Sequence, residues 1–257
     1  MKKWIYVMTA LLFVACNDND NGGDTSLELR LTDAPADYEQ VLIEIVDVNV
    51  NLDDEWIELD EVNEGIYDLL SYTNGVDTLL ANGEFPAGTV SQIRLILGEE
   101  NSVVIDGQSY DLDTPSAQQS GLKLNIQSDF ESGVAYQMWL DFDAGKSIVE
   151  KGNGGYSLKP VIRVYTDAVS GSIKGSVCTS IESQVYIEVV GSDGTEYGTY
   201  SDAESGFYQL SGIPEGTYDI TMTPSDAYSP KSLSGVTVTN GEATELEEVC
   251  FDAVAPN

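Results

Sequence analysis

Residues 27–31 read Leu-Glu-Leu-Arg-Leu, and this alternation of apolar and polar side chains decides the fold class. Neighbouring side chains of a β-strand point to opposite faces, so alternation is typical of a strand with one buried face. Further along the chain, apolar residues occupy the odd positions Val41, Ile43 and Ile45. They then move by one residue to the even positions Val46, Val48, Val50 and Leu52. We therefore predict a bulge or bend near Ile45-Val46, because such a shift turns the opposite face toward the core.

Further strand-like segments follow, separated by sequences rich in Asn, Asp, Gly and Pro that favour turns. These segments are residues 93–97, 103–105, 122–126, 136–142 and 156–165. The clearest hairpin is centred on Asp106-Gly107, a pair that favours a two-residue turn. No helical pattern exceeds about two turns. The sequence therefore predicts an all-β fold of sandwich-like modules.

The N-terminus has the layout of a bacterial lipoprotein signal. Met-Lys-Lys is followed by an apolar run from Trp4 to Ala15, broken only by Thr9, and then by Cys16. A basic start, an apolar stretch and a small residue before the cut are typical of a signal peptide, and roughly 20 residues would be needed to span a bilayer. We predict a signal peptide over residues 1–15, with Cys16 as the lipid-bearing first residue of the mature chain. The alternative is a buried core segment that happens to end in cysteine.

Residues 16–25 form a polar stretch that we predict to be a flexible, acidic tether after the lipidated cysteine. It is similar to the acidic sequences that direct some lipoproteins of Gram-negative bacteria to the cell surface. We therefore expect a surface-exposed outer-membrane lipoprotein, attached to the membrane only through its acyl chains. A plain spacer on a periplasm-facing anchor is the alternative.

Composition excludes several classes of function. The chain has 44 acidic and 11 basic residues, a net charge of −33, so we expect no nucleic-acid partner. It has no histidine, which removes catalytic triads of the Ser-His-Asp type and His-ligated zinc. We predict no catalytic residue, no cofactor and no metal. Calcium at Asp53-Asp54-Glu55 or Asp141-Phe142-Asp143 is an open alternative, although no EF-hand spacing is present.

Two cysteines remain once Cys16 carries lipid, namely Cys178 and Cys250. In an exported protein an even pair of thiols predicts a disulfide. We expect this bond to tie the ends of a C-terminal module together, because Cys178 lies near its first strand and Cys250 lies in its last strand, which we place at Leu246 to Phe251. A boundary near residues 167–171, where the sequence becomes rich in Gly and Ser, divides a first module (residues 26–168) from a second (residues 169–257).

The first module resembles the bacterial family named domain of unknown function 4382, whose activity is undetermined. The resemblance covers nearly all of residues 26–168. It is carried by residues 31–35 (Leu-Thr-Asp-Ala-Pro), Trp56, 68–70 (Asp-Leu-Leu), 86–88 (Pro-Ala-Gly), 92–95 (Gln-Ile-Arg-Leu), Pro115-Ser116, 119–124 (Gln-Ser-Gly-Leu-Lys-Leu), 140–144 (Leu-Asp-Phe-Asp-Ala), 147–149 (Ser-Ile-Val) and 158–163 (Leu-Lys-Pro-Val-Ile-Arg).

The second module resembles carboxypeptidase regulatory-like domains, which are transthyretin-like β-sandwiches. The motifs are residues 206–210 (Gly-Phe-Tyr-Gln-Leu) and 213–218 (Ile-Pro-Glu-Gly-Thr-Tyr). This resemblance implies a fold more than a function, because the same sandwich serves as a spacer, a stabiliser or a sugar binder.

Polar residues within apolar strands of the first module are candidates for a site. Buried charges need partners, so an internal network of Asp, Lys and Arg side chains, which would include Lys159 and Arg163, is the structural interpretation. The functional interpretation is a ligand-binding cleft. Its lining would be Asp33, Gln119, Lys123, Asp141 and Asp143.

The function that we expect is non-enzymatic display of β-sandwich modules on the cell envelope, with carbohydrate as the ligand. Exposed aromatic rings among the 14 tyrosines and 3 tryptophans would supply stacking surfaces. Adhesion or assembly through protein contacts is the first alternative. A glycosidase is the second, since such an enzyme needs only two carboxylates and no histidine.

Overall fold

A computed structural model describes residues 23–34, 36–114, 120–178, 184–225 and 227–253. The predicted signal peptide, Cys16, most of the tether and Gln119 lie outside the described residues. Nearly all of the regular structure is β, which confirms the predicted fold class. Within the described ranges, no helix is long and apolar enough to cross a membrane.

The first module contains strands β1 to β14. They are β1 (Asp24–Ala34), β2 (Gln40–Leu52), β3 (Glu55–Glu58), β4 (Glu61–Val62), β5 (Gly65–Asp68), β6 (Thr78–Pro86), β7 (Gly88–Leu97), β8 (Ser102–Ile105), β9 (Gln108–Asp113), β10 (Leu122–Phe130), β11 (Ala135–Asp143), β12 (Ile148–Glu150), β13 (Tyr156–Leu158) and β14 (Ile162–Tyr165). Short helical turns lie between strands, a 3-10 helix at Leu69–Tyr72 and helix α1 at Ala144–Ser147.

These strands form two sheets that share one core. The five-stranded sheet has the order β14-β11-β1-β6-β4, and the nine-stranded sheet has the order β10-β7-β2-β8-β9-β13-β12, with β3 and β5 also paired to β2. Alternate residues of β1, β2 and β7 point into the same cluster of buried side chains, among them Leu29, Ile43 and Ile93. Two sheets with their apolar faces together make a sandwich, which removes both faces from water.

The bulge predicted near Ile45-Val46 is confirmed. In the pairing of β2 with β7, Ile45 faces Leu97 and Asp47 faces Ile96, so Val46 is the extra residue. Ile45 and Val48 are both fully buried although they are three residues apart. The extra residue therefore lets one long strand keep its apolar side chains in the core while the parity changes.

The hairpin predicted at Asp106-Gly107 is also confirmed. Strands β8 and β9 pair from Ser102–Asp111 to Ile105–Gln108, leaving the two residues as the turn. Both have positive φ angles, 51° for Asp106 and 71° for Gly107, which a type I′ turn requires.

The prediction of one strand over residues 156–165 is wrong. The chain makes β13 in the nine-stranded sheet and β14 in the five-stranded sheet, so it crosses from one layer to the other at residues 159–161. Pro160 lies in this crossing and has no backbone N–H to donate to a ladder. The apolar alternation continues through the crossing, which is why periodicity alone did not reveal it.

The second module contains strands β15 to β21. They are β15 (Gly171–Ser176), β16 (Tyr186–Val190), β17 (Glu196–Tyr200), β18 (Phe207–Ile213), β19 (Gly216–Thr223), β20 (Lys231–Val238) and β21 (Ala243–Glu245). A three-stranded sheet β18-β15-β21 packs on a four-stranded sheet β17-β16-β19-β20. Cys178 and Cys250 are joined by a disulfide, as predicted.

The prediction that Leu246 to Phe251 form the last strand is wrong. Strand β21 ends at Glu245, and the described residues after it contribute only isolated bridges. The backbone N–H of Leu246 donates to the carbonyl oxygen of Lys174, and that of Val249 donates to the carbonyl oxygen of Ser176. The two donors are three residues apart, whereas their acceptors on β15 are two residues apart. The mismatch breaks the ladder, although the segment still runs beside β15 and brings Cys250 to Cys178.

Candidate functional site

The two modules meet at one end of the outer face of the five-stranded sheet. Asn74, in the turn before β6, accepts hydrogen bonds from the backbone N–H of Gln209 at 3.3 Å and the hydroxyl of Thr199 at 3.2 Å. The guanidinium of Arg163 lies over the ring of Tyr197, 4.7 Å from its centroid. Both contacts join the first module to the second.

Three of the predicted site residues, all acidic, come together at this junction because β1 and β11 pair in parallel. Asp33 faces Phe142 and Thr32 faces Asp141 in that pairing, so both strands end with their carboxylates close together. The junction encloses a cavity of about 20 Å³, room for about one water molecule, and Asp33 and Asp141 both line it.

Asp33 is the most unusual of the three. One carboxylate oxygen accepts a hydrogen bond from the backbone N–H of Ala144 at 3.0 Å, and the other is buried without a partner in the described structure. Burial raises the pKa of Asp33 well above its ordinary value, and the charges of Asp141 and Asp143 add to this effect, while the Ala144 hydrogen bond opposes it. Its environment therefore favours the protonated form.

Asp141 and Asp143 have cationic partners. Asp141 forms an ion pair with Arg163 on the neighbouring strand, and Asp143 lies 3.3 Å from the ammonium of Lys146. Burial raises the pKa of Asp141, and the charge of Arg163 acts in the opposite direction. This arrangement is an internal charge network of the kind that the sequence suggested, except that Lys159 is exposed and no ion pair joins it to another described residue.

Lys123 does not belong to the acidic group. It lies on β10 of the other sheet, with its ammonium 5.6 Å from the ring centroid of Trp56. Gln119 lies outside the described residues. The predicted cleft of five residues is therefore divided between an acidic junction and a separate surface around Trp56.

A larger cleft adjoins the acidic junction, with a volume of about 210 Å³. Its wall is an aromatic pair, Trp139 on β11 and Tyr165 on β14, which are direct cross-strand partners. The two rings are nearly parallel, with an interplanar angle of 7° and centroids 5.5 Å apart. The rest of the lining is polar and comes from both modules, including Asp77, Asp167, Gln209, Ser211 and Glu242.

Asp77 holds the tryptophan in place. One of its oxygens accepts a hydrogen bond from the indole N–H of Trp139 at 2.8 Å, and the other accepts one from Arg30 at 2.5 Å. The hydroxyl of Tyr165 interacts with Ser211 of the second module. Both aromatic side chains are thus fixed at their polar ends, which preorganises the wall of the cleft.

The acidic clusters considered for calcium do not form a convergent ligand set. Asp53 and Asp54 occupy the turn between β2 and β3 with positive φ angles, and Asp53 accepts a hydrogen bond from the N–H of Thr89. Among the described residues, the one group of three ligand-type side chains is Cys178, Glu248 and Cys250, and both of its cysteines are in the disulfide.

Comparison with known families identifies the first module. Residues 24–160 match the family described as Domain of unknown function (DUF4382), just over half of the 257 residues. The chain belongs to the DUF4382 family. The matched residues include Asp33, Trp56, Lys123 and Trp139, while Arg163 and Tyr165 follow the matched segment. No curated protein matches the chain.

Several solved β-rich proteins are distantly similar. The Bacillus anthracis TIE protein is 11% identical with a TM-score of 0.25, and the match covers 90% of this chain and 34% of that one. A C-terminal fragment of the pilus adhesin SpaC from Lactobacillus rhamnosus GG is 12% identical with a TM-score of 0.26, covering 90% and 98%. A fimbrial protein from Bacteroides ovatus is 12% identical with a TM-score of 0.24, covering 90% and 50%. This chain therefore spans about a third of the TIE protein.

Sequence reasoning did not find the aromatic cleft. Trp139 and Tyr165 are 26 positions apart, and Asp77 and Gln209 come from segments still further away. Both residues occupy outward-facing positions of their strands, where a large aromatic side chain must be partly exposed. This position is the signal that could have indicated the pair. The partner strand, however, becomes known only from the pairing.

Proposed function

We propose that this protein is a non-enzymatic cell-envelope lipoprotein that binds carbohydrate in the cleft between its two modules. The observation that carries the proposal is the parallel Trp139–Tyr165 pair at the wall of a polar cleft. The anchor would be the lipid on Cys16, and the second module, with its resemblance to carboxypeptidase regulatory-like domains, would complete the site as well as display it.

The chemistry of the cleft suits a sugar. The aromatic faces offer a rigid apolar surface for the C–H side of a pyranose ring, and both rings lose little freedom on binding because they are already fixed. Gln209, Ser211 and Asp167 offer amide, hydroxyl and carboxylate groups to sugar hydroxyls. The cleft, about 210 Å³, is smaller than the roughly 300–1,000 Å³ of drug-sized pockets, so it suits one sugar unit or the end of a chain.

A glycosidase would need two carboxylates in the cleft that are free to take part in the reaction. Both oxygens of Asp77 accept hydrogen bonds, from Arg30 and from Trp139, so this side chain positions the indole. Asp167 and Glu242 are the other carboxylates that line the cleft, and burial together with the nearby charge of Asp77 raises the pKa of Asp167. A release assay for reducing sugars on any glycan that binds would reveal turnover if the cleft were a glycosidase.

Affinity electrophoresis of the full chain through gels containing neutral polysaccharides tests the proposal. We expect at least one gel to retard the protein, and Trp139→Ala to abolish the retardation because the main stacking surface is lost. The matched control is Tyr110→Ala, which removes one ring from the Tyr110–Tyr156 pair at the surface of the other sheet. Equal retardation of Trp139→Ala and the native chain in every gel would contradict the proposal.

Adhesion through protein contacts is the second candidate, because an apolar groove of about 540 Å³ lies beside strands β10 and β14. Val134 and Val169 line it and are 38% and 65% exposed. If this groove binds a partner, a Val169→Asp variant will lose a protein that the native chain captures from cell envelopes, while Tyr110→Ala, on the other sheet and outside the groove, will keep it.

The proposed anchor has its own test. Cys16→Ala should release the protein from membranes without changing its unfolding transition, since Cys16 precedes both modules in the sequence. Protease treatment of intact cells would then distinguish surface display from periplasmic anchorage. A Cys16→Ala variant that remains with the membrane would refute the lipid anchor.

A further inference from the structure

A second surface of the first module combines an aromatic ring with two cations. Trp56 lies on β3, at the outer face of the nine-stranded sheet, with the guanidinium carbon of Arg94 4.4 Å and the ammonium of Lys123 5.6 Å from its ring centroid. Arg94 and Lys123 are direct cross-strand partners on β7 and β10. Their neighbours along each strand, Ile93 and Leu124 among them, pack in the core, so these cations occupy the opposite face.

The cations of this surface differ from most others of the chain in their ion pairing. Nine of the eleven Lys and Arg residues lie in described segments, since Lys2 and Lys3 do not. Six of the nine form ion pairs with carboxylates, namely Arg30, Lys146, Lys151, Arg163, Lys174 and Lys231. Arg94 and Lys123 form none in the described structure, and Arg94 hydrogen bonds to the neutral amide oxygen of Asn49. Two adjacent cations thus remain unpaired in a chain with 44 acidic residues.

The tryptophan explains how two like charges are held together. The negative face of an indole ring stabilises a nearby cation by about 0.5–2 kcal/mol, and here one ring attracts both. Two carboxylates lie nearest to these cations in the strand register. Asp47 accepts hydrogen bonds from the Asn49 amide and from the backbone N–H of Val48. Glu58 is the cross-strand partner of Asn49, so Asn49 lies between it and Arg94. In the described structure neither Asp47 nor Glu58 forms an ion pair with Arg94 or Lys123, so both cations are available to an external carboxylate.

Amide side chains continue this surface in the next cross-strand row. Asn51, Gln92 and Asn125 follow one another across β2, β7 and β10, and Trp56 faces Asn51. The Gln92 amide N–H donates to the carbonyl oxygen of Asn125 at 2.7 Å, and in the described structure the Asn125 amide N–H groups and the Gln92 carbonyl oxygen have no hydrogen-bond partner. Amides of this kind donate to and accept from sugar hydroxyls.

We propose that the surface formed by Trp56, Arg94, Lys123, Gln92 and Asn125 binds an acidic polysaccharide, with a uronic acid carboxylate between the two cations and its hydroxyls on the amides. The carboxylates of an acidic polysaccharide are spaced along the chain, so one of them can bind the pair of cations without a second one lying beside it. Duplex nucleic acid, with one phosphate per roughly 1.7 Å, would place further charges against the surrounding carboxylates and is disfavoured. The site is independent of the cleft at Trp139, because it lies on the other sheet.

The test uses polygalacturonate and its fully methyl-esterified, uncharged form in affinity gels with the full chain. We expect retardation by the acid form and much less by the ester. Arg94→Gln/Lys123→Gln should weaken binding to the acid form by at least about tenfold, because charge-assisted hydrogen bonds are lost. The double variant Arg94→Lys/Lys123→Arg keeps both charges and should retain most of the binding.

Two controls make the result specific. Lys159→Gln removes the third unpaired cation and should leave binding to polygalacturonate unchanged, as should Trp139→Ala. Equal loss in Lys159→Gln would mean that net charge alone governs retardation, and no difference between the acid and ester gels for the native chain would overturn the proposed site. Binding of the native chain to neutral glycans is scored separately, so failure of one site is distinguishable from failure of the other.

Discussion

The two modules reach stability by different means. Among the residues that the structure describes, the core of the first contains 28 buried apolar side chains and that of the second contains 14. The disulfide Cys178–Cys250 is in the second module, while the buried carboxylates, Asp33 and Asp141, are in the first. A small core gains less from burial, so a covalent link compensates there, whereas a larger core tolerates buried charge at its edge. The lesson is that the size of a core decides which polar or covalent features a module can carry.

Removing the disulfide should have the largest effect and should be confined to the second module. The bond closes a loop of about 73 residues, and Cys178→Ser/Cys250→Ser should cost that module roughly 4 kcal/mol on chain entropy grounds. Residues 169–257 contain no tryptophan, and Trp139 lies in the cleft between the modules, so in a Trp139→Phe background the fluorescence of Trp56 follows the first module while far-ultraviolet circular dichroism follows both. A fluorescence transition that shifts as far as the dichroism transition would show that the modules are not separate in stability.

Truncating a core side chain should lower the free energy of unfolding of each module by a similar amount. The smaller module should lose the larger fraction of its stability. Leu29→Ala in β1 and Ile187→Ala in β16 each empty a fully buried site and should cost about 3 kcal/mol. Because the second module has half as many buried apolar side chains, Ile187→Ala should unfold it at a lower denaturant concentration than Leu29→Ala unfolds the first. Urea titrations with both optical probes measure this, and the reverse order would remove the contrast between the cores.

Asp33 should make the first module lose stability as the pH rises. Because Asp33 holds its proton more tightly folded than unfolded, its stabilising contribution is complete below the unfolded pKa of about 3.9 and is lost as pH rises toward the raised folded pKa. Asp33→Asn does not titrate, so its stability relative to the native chain should rise with pH by up to about 1.4 kcal/mol per unit across that window.

Urea titrations followed by tryptophan fluorescence between about pH 4 and pH 7 cover this window. The matched control is Asp54→Asn, which removes an exposed carboxylate from a hairpin turn. Parallel pH profiles for Asp33→Asn and the native chain would show that Asp33 ionises alike in both states.

Loosening the junction should have the smallest effect. Asn74→Gly removes the oxygen that accepts from Gln209 and Thr199, at a position whose φ of 55° suits glycine. We expect the free energy of unfolding of the second module to fall by about 1 kcal/mol, which is the usual net contribution of such a hydrogen bond. Asn74→Asp retains the acceptor oxygen and should restore most of the dichroism transition temperature. No shift in Asn74→Gly would mean that the modules are coupled by other contacts.

Much of the strand content could be predicted from the sequence because it depends on local rules. The alternation from Leu27 to Leu31, the parity shift at Val46 and the turn at Asp106-Gly107 are determined by side-chain period and φ preference, and the structure confirms all three. Contacts between distant segments do not follow such rules. Lys123 and Asp141 have similar surroundings in the sequence, yet they belong to different sheets.

The candidate sites depend on pairing, which is why only parts of them were predicted. Asp33 and Asp141 were assigned to one group, and the structure places their strands side by side. The Trp139–Tyr165 pair requires that the chain cross between sheets at Pro160, and the apolar alternation hid that crossing. Similarly, Trp56 and the two cations near its ring come from three strands, and the sequence does not reveal the order of these strands in the sheet.

The position of β1 also has a consequence for the order of folding. This strand pairs on one side with β6, where Leu29 faces Ala81, and on the other with β11, where Ser26 faces Ala135. The second pairing closes a loop of more than a hundred residues, and such high contact order slows folding. Until β11 has been synthesised, one edge of β1 presents unpaired N–H and C=O groups that other chains can pair with. Strand β11 therefore completes the sheet around the earliest strand of the first module, and its arrival limits how soon that module can become resistant to aggregation.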